Sequence, residues 1–106
     1  MGRTVIVAYT PKPGYEAALL AVVRRHQTVL RAEGLVSDAS ARVMRAANGS
    51  VIEVFEWASA EAIVQAHSNA AVIALWEEFA TACTIAPLAD LAECRNMFAE
   101  FEPVVV

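Results

Sequence analysis

The fold is indicated most clearly by the stretch Ala41-Arg-Val-Met-Arg-Ala-Ala-Asn-Gly-Ser-Val-Ile-Glu-Val-Phe-Glu-Trp-Ala-Ser59. Its Asn48-Gly49 pair is the strongest short signal for a β-hairpin, because both residue types tolerate the positive φ of a type I′ turn. We therefore predict two antiparallel strands, residues 39–46 and 50–58. Side chains alternate between the two faces of a strand, so one face of the second strand carries Val51, Glu53, Phe55 and Trp57.

The sequence before the hairpin predicts a strand followed by a helix. Residues 4–10 are rich in β-branched and aromatic side chains, and two prolines and Gly14 end the strand. From residue 15 to 33 apolar residues recur every three or four positions, which is the pattern of an amphipathic helix. His26 lies within this apolar stripe, where we interpret it as a buried core or interface residue.

After the hairpin, the sequence predicts a second helical region and a final strand. The helical region covers residues 60–83 and is interrupted at Ser68-Asn69, and Pro87 ends it. A short connector covers residues 88–93, and residues 97–104 read as the last strand. The order β-α-β-β-α-β predicts an α+β fold of the ferredoxin-like kind, with an antiparallel sheet and helices on one face. Residues 1–106 form a single domain in this interpretation.

Composition predicts a homodimer. The chain is 58% hydrophobic, more than a small domain can bury on its own, and no apolar run approaches the roughly 20 residues of a membrane span. A partner subunit packed on the bare sheet face would cover the excess. The net charge of −4 argues against binding to nucleic acid. With no signal peptide recognised, we expect a cytoplasmic protein whose Cys83 and Cys94 are reduced thiols.

The chain resembles the antibiotic-biosynthesis-monooxygenase-like group of dimeric α/β barrels. Three segments carry the resemblance: Val-Ile-Val-Ala-Tyr-Thr-Pro-Lys-Pro-Gly at 5–14, Glu-Trp-Ala-Ser-Ala-Glu-Ala at 56–62 with His67 ten residues past Trp57, and Phe-Ala-Glu-Phe-Glu-Pro at 98–103. The resemblance implies a dimer whose two sheets form a barrel, with a cavity in each protomer. It also implies cofactor-free oxidation of electron-rich aromatics or quinols in some members.

A related branch of that group degrades haem, and this chain departs from it. The branch resembles this chain in length but carries an Asn in the first strand, then a Trp and a more distal His. By ungapped alignment these three positions hold Val7, His67 and Trp76 here. No imidazole then stands at the position of the axial ligand. We therefore predict no haem chemistry and no cofactor.

Six residues are candidates for the site. His67 is a candidate catalytic base, since imidazole exchanges protons near neutral pH, although it could instead serve only the helix break. Glu53 is a second candidate, because burial makes a carboxylate a stronger base. The alternative for Glu53 is an ion pair with Arg42 or Arg45. The candidate substrate-binding residues, which could equally be plain core, are Tyr9, as a hydrogen-bond donor, and Trp57, Trp76 and Phe79, as walls of the site. Two histidines without a nearby pair of carboxylates predict no metal site.

Two functions remain open at this stage. The first is a cofactor-independent monooxygenase acting on a small aromatic or quinol-like substrate. The second is a non-catalytic dimeric module that binds a small apolar ligand. A cavity with a titratable group facing it would favour the enzyme, and a filled core would favour the module.

Overall fold

The computed structural model describes residues 1–106 and confirms an α+β fold with one five-stranded antiparallel sheet and three α-helices. Two short 3₁₀ turns, Leu88–Asp90 and Ala92–Arg95, lie between the last two strands. In chain order the elements are β1 (Arg3–Pro11), α1 (Glu16–Ala32), β2 (Arg42–Arg45), β3 (Val51–Trp57), α2 (Ala60–Ala66), α3 (Ala70–Ala82), β4 (Cys83–Ala86) and β5 (Glu102–Pro103).

The strands lie in the order β4-β1-β3-β2-β5. The long central pair is β1 and β3, in which Val7 lies opposite Glu53 and Val5 lies opposite Phe55. Directly opposed residues point to the same side of a sheet. The apolar face predicted for β3 is therefore continued by Val5, Val7 and Tyr9 of β1.

The predicted hairpin between β2 and β3 is confirmed, but its turn differs from type I′. Gly49 has a φ of 91°, whereas no residue other than glycine has a positive φ. Asn48 instead uses its side chain, which accepts a hydrogen bond from the Ser50 amide at 2.8 Å. The Gly49 amide also donates to the Ala46 carbonyl. This is the longer type of hairpin loop, in which a single glycine takes the left-handed conformation.

The break between the second and third helices is also confirmed. α2 begins after Ser59, whose hydroxyl accepts a hydrogen bond from the Ala62 amide. α3 begins after Asn69, whose side-chain oxygen accepts from the Val72 amide at 3.1 Å. Each side chain satisfies one of the free amides at a helix start. No helix is both long and apolar enough to cross a lipid bilayer.

The fourth strand of the sheet is not where the sequence indicated. It is Cys83–Ala86, which follows α3 without a loop and pairs with β1, so that Ile85 lies opposite Tyr9. The predicted strand at 97–104 is wrong except for Glu102–Pro103, which pairs with β2. Cys83 lies four residues after Phe79, which is the spacing of the apolar stripe of α3. The apolar pattern therefore gave no sign that the backbone becomes extended at Cys83. Pairing with the free edge of β1 satisfies the backbone of this segment better than another helical turn before Pro87 would.

The sheet face opposite the helices is partly covered by the chain itself. Leu91, between the two 3₁₀ turns, is buried against Ala8 and Ile52, and Leu88 and Phe101 pack on the same cluster. The Glu93 carboxylate also accepts a hydrogen bond from the Ala47 amide at 2.8 Å. The sheet face that the sequence predicted to be uncovered is thus partly covered by the protein's own chain. Its exposed apolar residues include Ile6, which is 50% exposed.

Candidate functional site

A cavity of about 410 Å³ lies between the sheet and the helices. Eleven residues line it, and ten of them are hydrophobic. Its volume lies within the roughly 300–1,000 Å³ range of small-molecule sites. Five of the lining residues are Phe, Tyr or Trp, and all four predicted substrate-binding residues are among them: Tyr9, Phe55, Trp57, Trp76 and Phe79.

The aromatic wall follows directly from strand alternation and helix periodicity. Tyr9 of β1 and Phe55 and Trp57 of β3 occupy alternate strand positions on the face that the helices cover. Trp76 and Phe79 are three residues apart on α3, and so they lie on one side of that helix. Tyr9 stacks on Phe79 with a centroid distance of 4.7 Å and an interplanar angle of 20°. The sheet and α3 therefore form an apolar slot lined by aromatic rings.

A buried polar cluster lies beside the slot and centres on Glu53. The Glu53 side chain is fully buried, and its Oε1 accepts a hydrogen bond from the Tyr9 hydroxyl at 2.7 Å. The same Oε1 lies 2.7 Å from Nδ1 of His26. Nε2 of Gln27 donates to Oε2 at 3.2 Å. Three donors from two other elements thus offset the cost of burying the carboxylate.

The alternative interpretation of Glu53, an ion pair with a hairpin arginine, is wrong. Arg42 lies opposite Val54, on the other face of the sheet, and Arg45 forms no ion pair. The arginine that forms an ion pair is Arg25, with Glu78 on the surface, and the group that faces the Glu53 carboxylate in the core is His26. Glu53 therefore belongs to the cavity side of the sheet.

His26 connects this polar cluster to the cavity. Its imidazole is 3% exposed and is among the cavity-lining residues. It lies edge-on to Phe55 at 5.3 Å and to Phe79 at 5.1 Å, measured between ring centroids. Because Nδ1 faces the Glu53 carboxylate, the neutral ring carries its proton on Nδ1, and Nε2 has a free lone pair. Nε2 is buried and has no hydrogen-bond partner.

Tyr9 lines the cavity, but its hydroxyl hydrogen is already in use. Burial, and next the adjacent Glu53 carboxylate, raise the pKa of the Tyr9 phenol far above its ordinary value of 10.0. The phenol therefore stays neutral and donates its single hydrogen to Glu53. In this arrangement Tyr9 positions Glu53 and has no free hydrogen for a substrate oxygen.

His67 lies outside the cavity lining. It is the residue that ends α2, and its ring is exposed. Its Nδ1 lies 2.7 Å from the Ile63 carbonyl oxygen, one helical turn earlier. The ring packs edge-on against Trp76 with a centroid distance of 5.1 Å. The structure thus brings Glu53 together with Tyr9 and His26, and it places His67 on the outer side of Trp76.

His26 is the site residue that sequence reasoning missed, since its helical spacing indicated only burial. The signal in the sequence that could have identified it is that Glu53 and His26 each lie on an otherwise apolar face, Glu53 on β3 and His26 on α1. A carboxylate on the buried face of β3 requires a partner, and His26 was the one titratable side chain in the apolar stripe of α1.

Comparison with known proteins leaves the family open. No family model, curated protein or solved structure matches this chain.

The remaining reactive group in the cavity wall is the Cys83 thiol. Burial raises its pKa, and Lys12 opposes that rise more weakly. The thiol donates a hydrogen bond to the Phe79 carbonyl with a sulfur–oxygen distance of 3.2 Å. A protonated, hydrogen-bonded thiol is a poor nucleophile. The structure contains no cluster of three or more His, Cys, Asp or Glu side chains that could hold a metal ion.

Proposed function

We propose that this protein is a cofactor-independent monooxygenase acting on a small planar aromatic or quinol-like substrate. The observation that carries the proposal is the position of His26, whose imidazole lines an aromatic cavity while its other side is held by the buried Glu53. An imidazole oriented by a carboxylate is a common arrangement for a general base. The aromatic side chains that line the slot suit a planar aromatic ring system.

In the proposed mechanism His26 takes the proton and Glu53 acts through it. The substrate loses a proton from a C–H or O–H bond to Nε2, and the resulting imidazolium is stabilised by the Glu53 carboxylate. Tyr9 and Gln27 hold that carboxylate in place. Glu53 is thus a positioning residue in this proposal, since it does not line the cavity itself.

Molecular oxygen is the oxidant. For a substrate with a CH₂ group activated by the ring, the carbanion passes one electron to O₂, and the two radicals combine to a peroxide anion. The peroxide takes a proton back from His26 and loses water, leaving a C=O group where the CH₂ stood. One oxygen atom enters the product and the other leaves as water, so O₂ gains the four electrons that the carbon loses. The dry, apolar walls protect the anion from early reprotonation.

The fold is consistent with this proposal. The first four strands lie in the order β4-β1-β3-β2 with helices on one face, which is the arrangement expected of a ferredoxin-like domain. We propose that two copies pack through the opposite face as a dimeric α/β barrel of the monooxygenase-like group. Ile6 on that face is an exposed apolar residue that a second copy would cover.

The alternative, a non-catalytic dimeric module that binds a small apolar ligand, is favoured by the composition of the cavity. Ten of its eleven lining residues are hydrophobic, and Nε2 of His26 is itself buried. Such a module would use the same slot without any proton transfer.

Measurements of oxygen uptake distinguish the oxygenase from the binding module, and they show which histidine is the base. We would measure O₂ consumption with anthrones, quinols and flavonoid-like phenols, using the wild type and the matched variants His26→Gln and His67→Gln. The expected result is uptake by the wild type that His26→Gln lowers about 10²-fold or more. A loss of oxygen uptake in His67→Gln alone would show that His67 is the base, as the sequence alone indicated. Absence of uptake above the uncatalysed rate with every compound would contradict the oxygenase and favour the module.

A further inference from the structure

The side chains that line the cavity differ in whether their polar atoms have a hydrogen-bond partner. The Tyr9 hydroxyl donates to Glu53, and the Cys83 thiol donates to the Phe79 carbonyl. Nε2 of His26 is the one buried side-chain nitrogen or oxygen of the chain without a partner. Unpaired buried polar atoms are rare in native proteins and commonly indicate a function or an unoccupied site.

The proton position on His26 decides what Nε2 can bind. Glu53 Oε1 already accepts from Tyr9 and can only accept from His26, so in the neutral ring the proton is on Nδ1. Nε2 is then an acceptor, and its ideal partner is a hydroxyl hydrogen. A ligand carbonyl or ether oxygen would place two lone pairs against each other and leave both unsatisfied.

The rest of the cavity restricts the ligand further. Away from His26 the wall is mostly apolar and favours a mostly apolar ligand. Its remaining polar hydrogens are the indole N–H groups of Trp57 and Trp76, which can donate but not accept. The lining residues Ala80 and Ile85 are exposed, Ile85 by 67%, and so they border the open side. A second polar substituent that finds no partner in the wall can be hydrated at that side.

We infer that the cavity selects a planar aromatic ligand that donates one hydroxyl hydrogen to Nε2 of His26. This inference rests on the proposed function for the planar shape of the ligand, and it adds the specificity-determining contact. It holds whether or not oxygen then reacts.

A series of ligands that differ only in the hydroxyl group tests the inference. We would measure the Kd of the wild type for 2-naphthol, 2-methoxynaphthalene and naphthalene by calorimetry without oxygen. The hydroxyl hydrogen should make 2-naphthol bind about tenfold more tightly than the methyl ether, as expected for one hydrogen bond to a buried acceptor. Apolar burial alone predicts the opposite order, because the ether carries an additional methyl group.

Nitrogen NMR of the two imidazole rings gives a readout independent of affinity. Addition of 2-naphthol should shift the Nε2 resonance of His26, and 2-methoxynaphthalene should leave it in place. His67 is the internal control, since its ring lies outside the cavity lining, and His67→Gln assigns the two signals. His26→Gln should abolish the preference for the hydroxyl. The wild-type series remains a complete test if that variant does not fold.

Equal or tighter binding of the methyl ether, or a shift at His67 instead of His26, would overturn the inference. The two proposals fail separately. A hydroxyl preference without oxygen uptake supports the binding contact and contradicts the oxygenase, whereas oxygen uptake without a hydroxyl preference contradicts the contact alone.

Discussion

The Tyr9 hydroxyl donates a hydrogen bond of 2.7 Å to the carboxylate of Glu53, although the two residues are 44 positions apart in the chain. They lie on adjacent strands, because β1 and β3 pair with Tyr9 opposite Val51 and Val7 opposite Glu53. The bond thus runs diagonally across the central strand pair, on the face covered by the helices. It keeps the carboxylate beside His26 and makes the pH behaviour of the protein predictable.

Alkaline pH should destabilise the fold through Tyr9. The folded pKa of Tyr9 is raised above the ordinary value of 10.0, so its contribution to stability is complete below pH 10 and is lost as pH rises above it. Above that pH the unfolded state releases the proton while the folded state keeps it. The free energy of unfolding should then fall by about 1.4 kcal/mol per pH unit from this group.

Urea unfolding at a series of alkaline pH values measures that slope. Tyr9→Phe should reduce it, because the titrating phenol is gone. Tyr15→Phe is the matched control, since Tyr15 is 42% exposed, and it should keep the wild-type slope. A slope that is the same in Tyr9→Phe as in the wild type would contradict the buried, neutral phenol.

Removing the Glu53 side chain should be costly. Glu53→Ala leaves the hydrogen-bonding groups of Tyr9, His26 and Gln27 without a buried acceptor and opens a cavity. We expect a loss of about 3 kcal/mol or more in the free energy of unfolding. Glu53→Gln keeps one acceptor oxygen and should cost clearly less. Glu100→Gln, at an exposed position, should change stability by less than about 0.5 kcal/mol. Equal losses for Glu53→Ala and Glu100→Gln would show that the cluster does not stabilise the fold.

The two cysteines should react at very different rates. Cys94 is exposed, whereas Cys83 is buried and its thiol pKa is raised. An alkylating reagent should therefore label one thiol rapidly in the folded protein and the second only after unfolding. Mass spectrometry of the digested protein would locate the label, and Cys94→Ser should abolish the rapid phase. Rapid labelling of Cys83 in the folded protein would contradict its burial.

The proposed dimer can be tested by light scattering. An interface through the second sheet face, burying about 800 Å² per subunit, should be stable at micromolar concentration. Ile6→Glu places a charge on that face and should shift the mass towards the monomer. Val64→Glu is the control, because Val64 is exposed on α2, away from that face. A monomeric wild type at this concentration, or equal dissociation by both variants, would exclude this interface.

The elements that sequence reasoning predicted correctly have local causes. The hairpin depends on Asn48-Gly49, the two helix starts depend on Ser59 and Asn69, and α1 depends on the spacing of its own apolar residues. Each signal lies within a few residues of the structure it specifies. Such signals act before any distant contact forms.

The sequence by itself therefore determined the helices, the hairpin and the apolar face on which Glu53 lies. Only the tertiary structure decided that Cys83–Ala86 is a strand, because the free edge of β1 provides the pairing that makes it one. It also decided that His26, 27 positions from Glu53, reaches the carboxylate while His67 turns outward. Helical spacing places both histidines on helices. It does not say which of the two side chains faces Glu53. That choice depends on how α1 and α3 pack over β1 and β3, since a buried carboxylate is stable only where packing brings it donors.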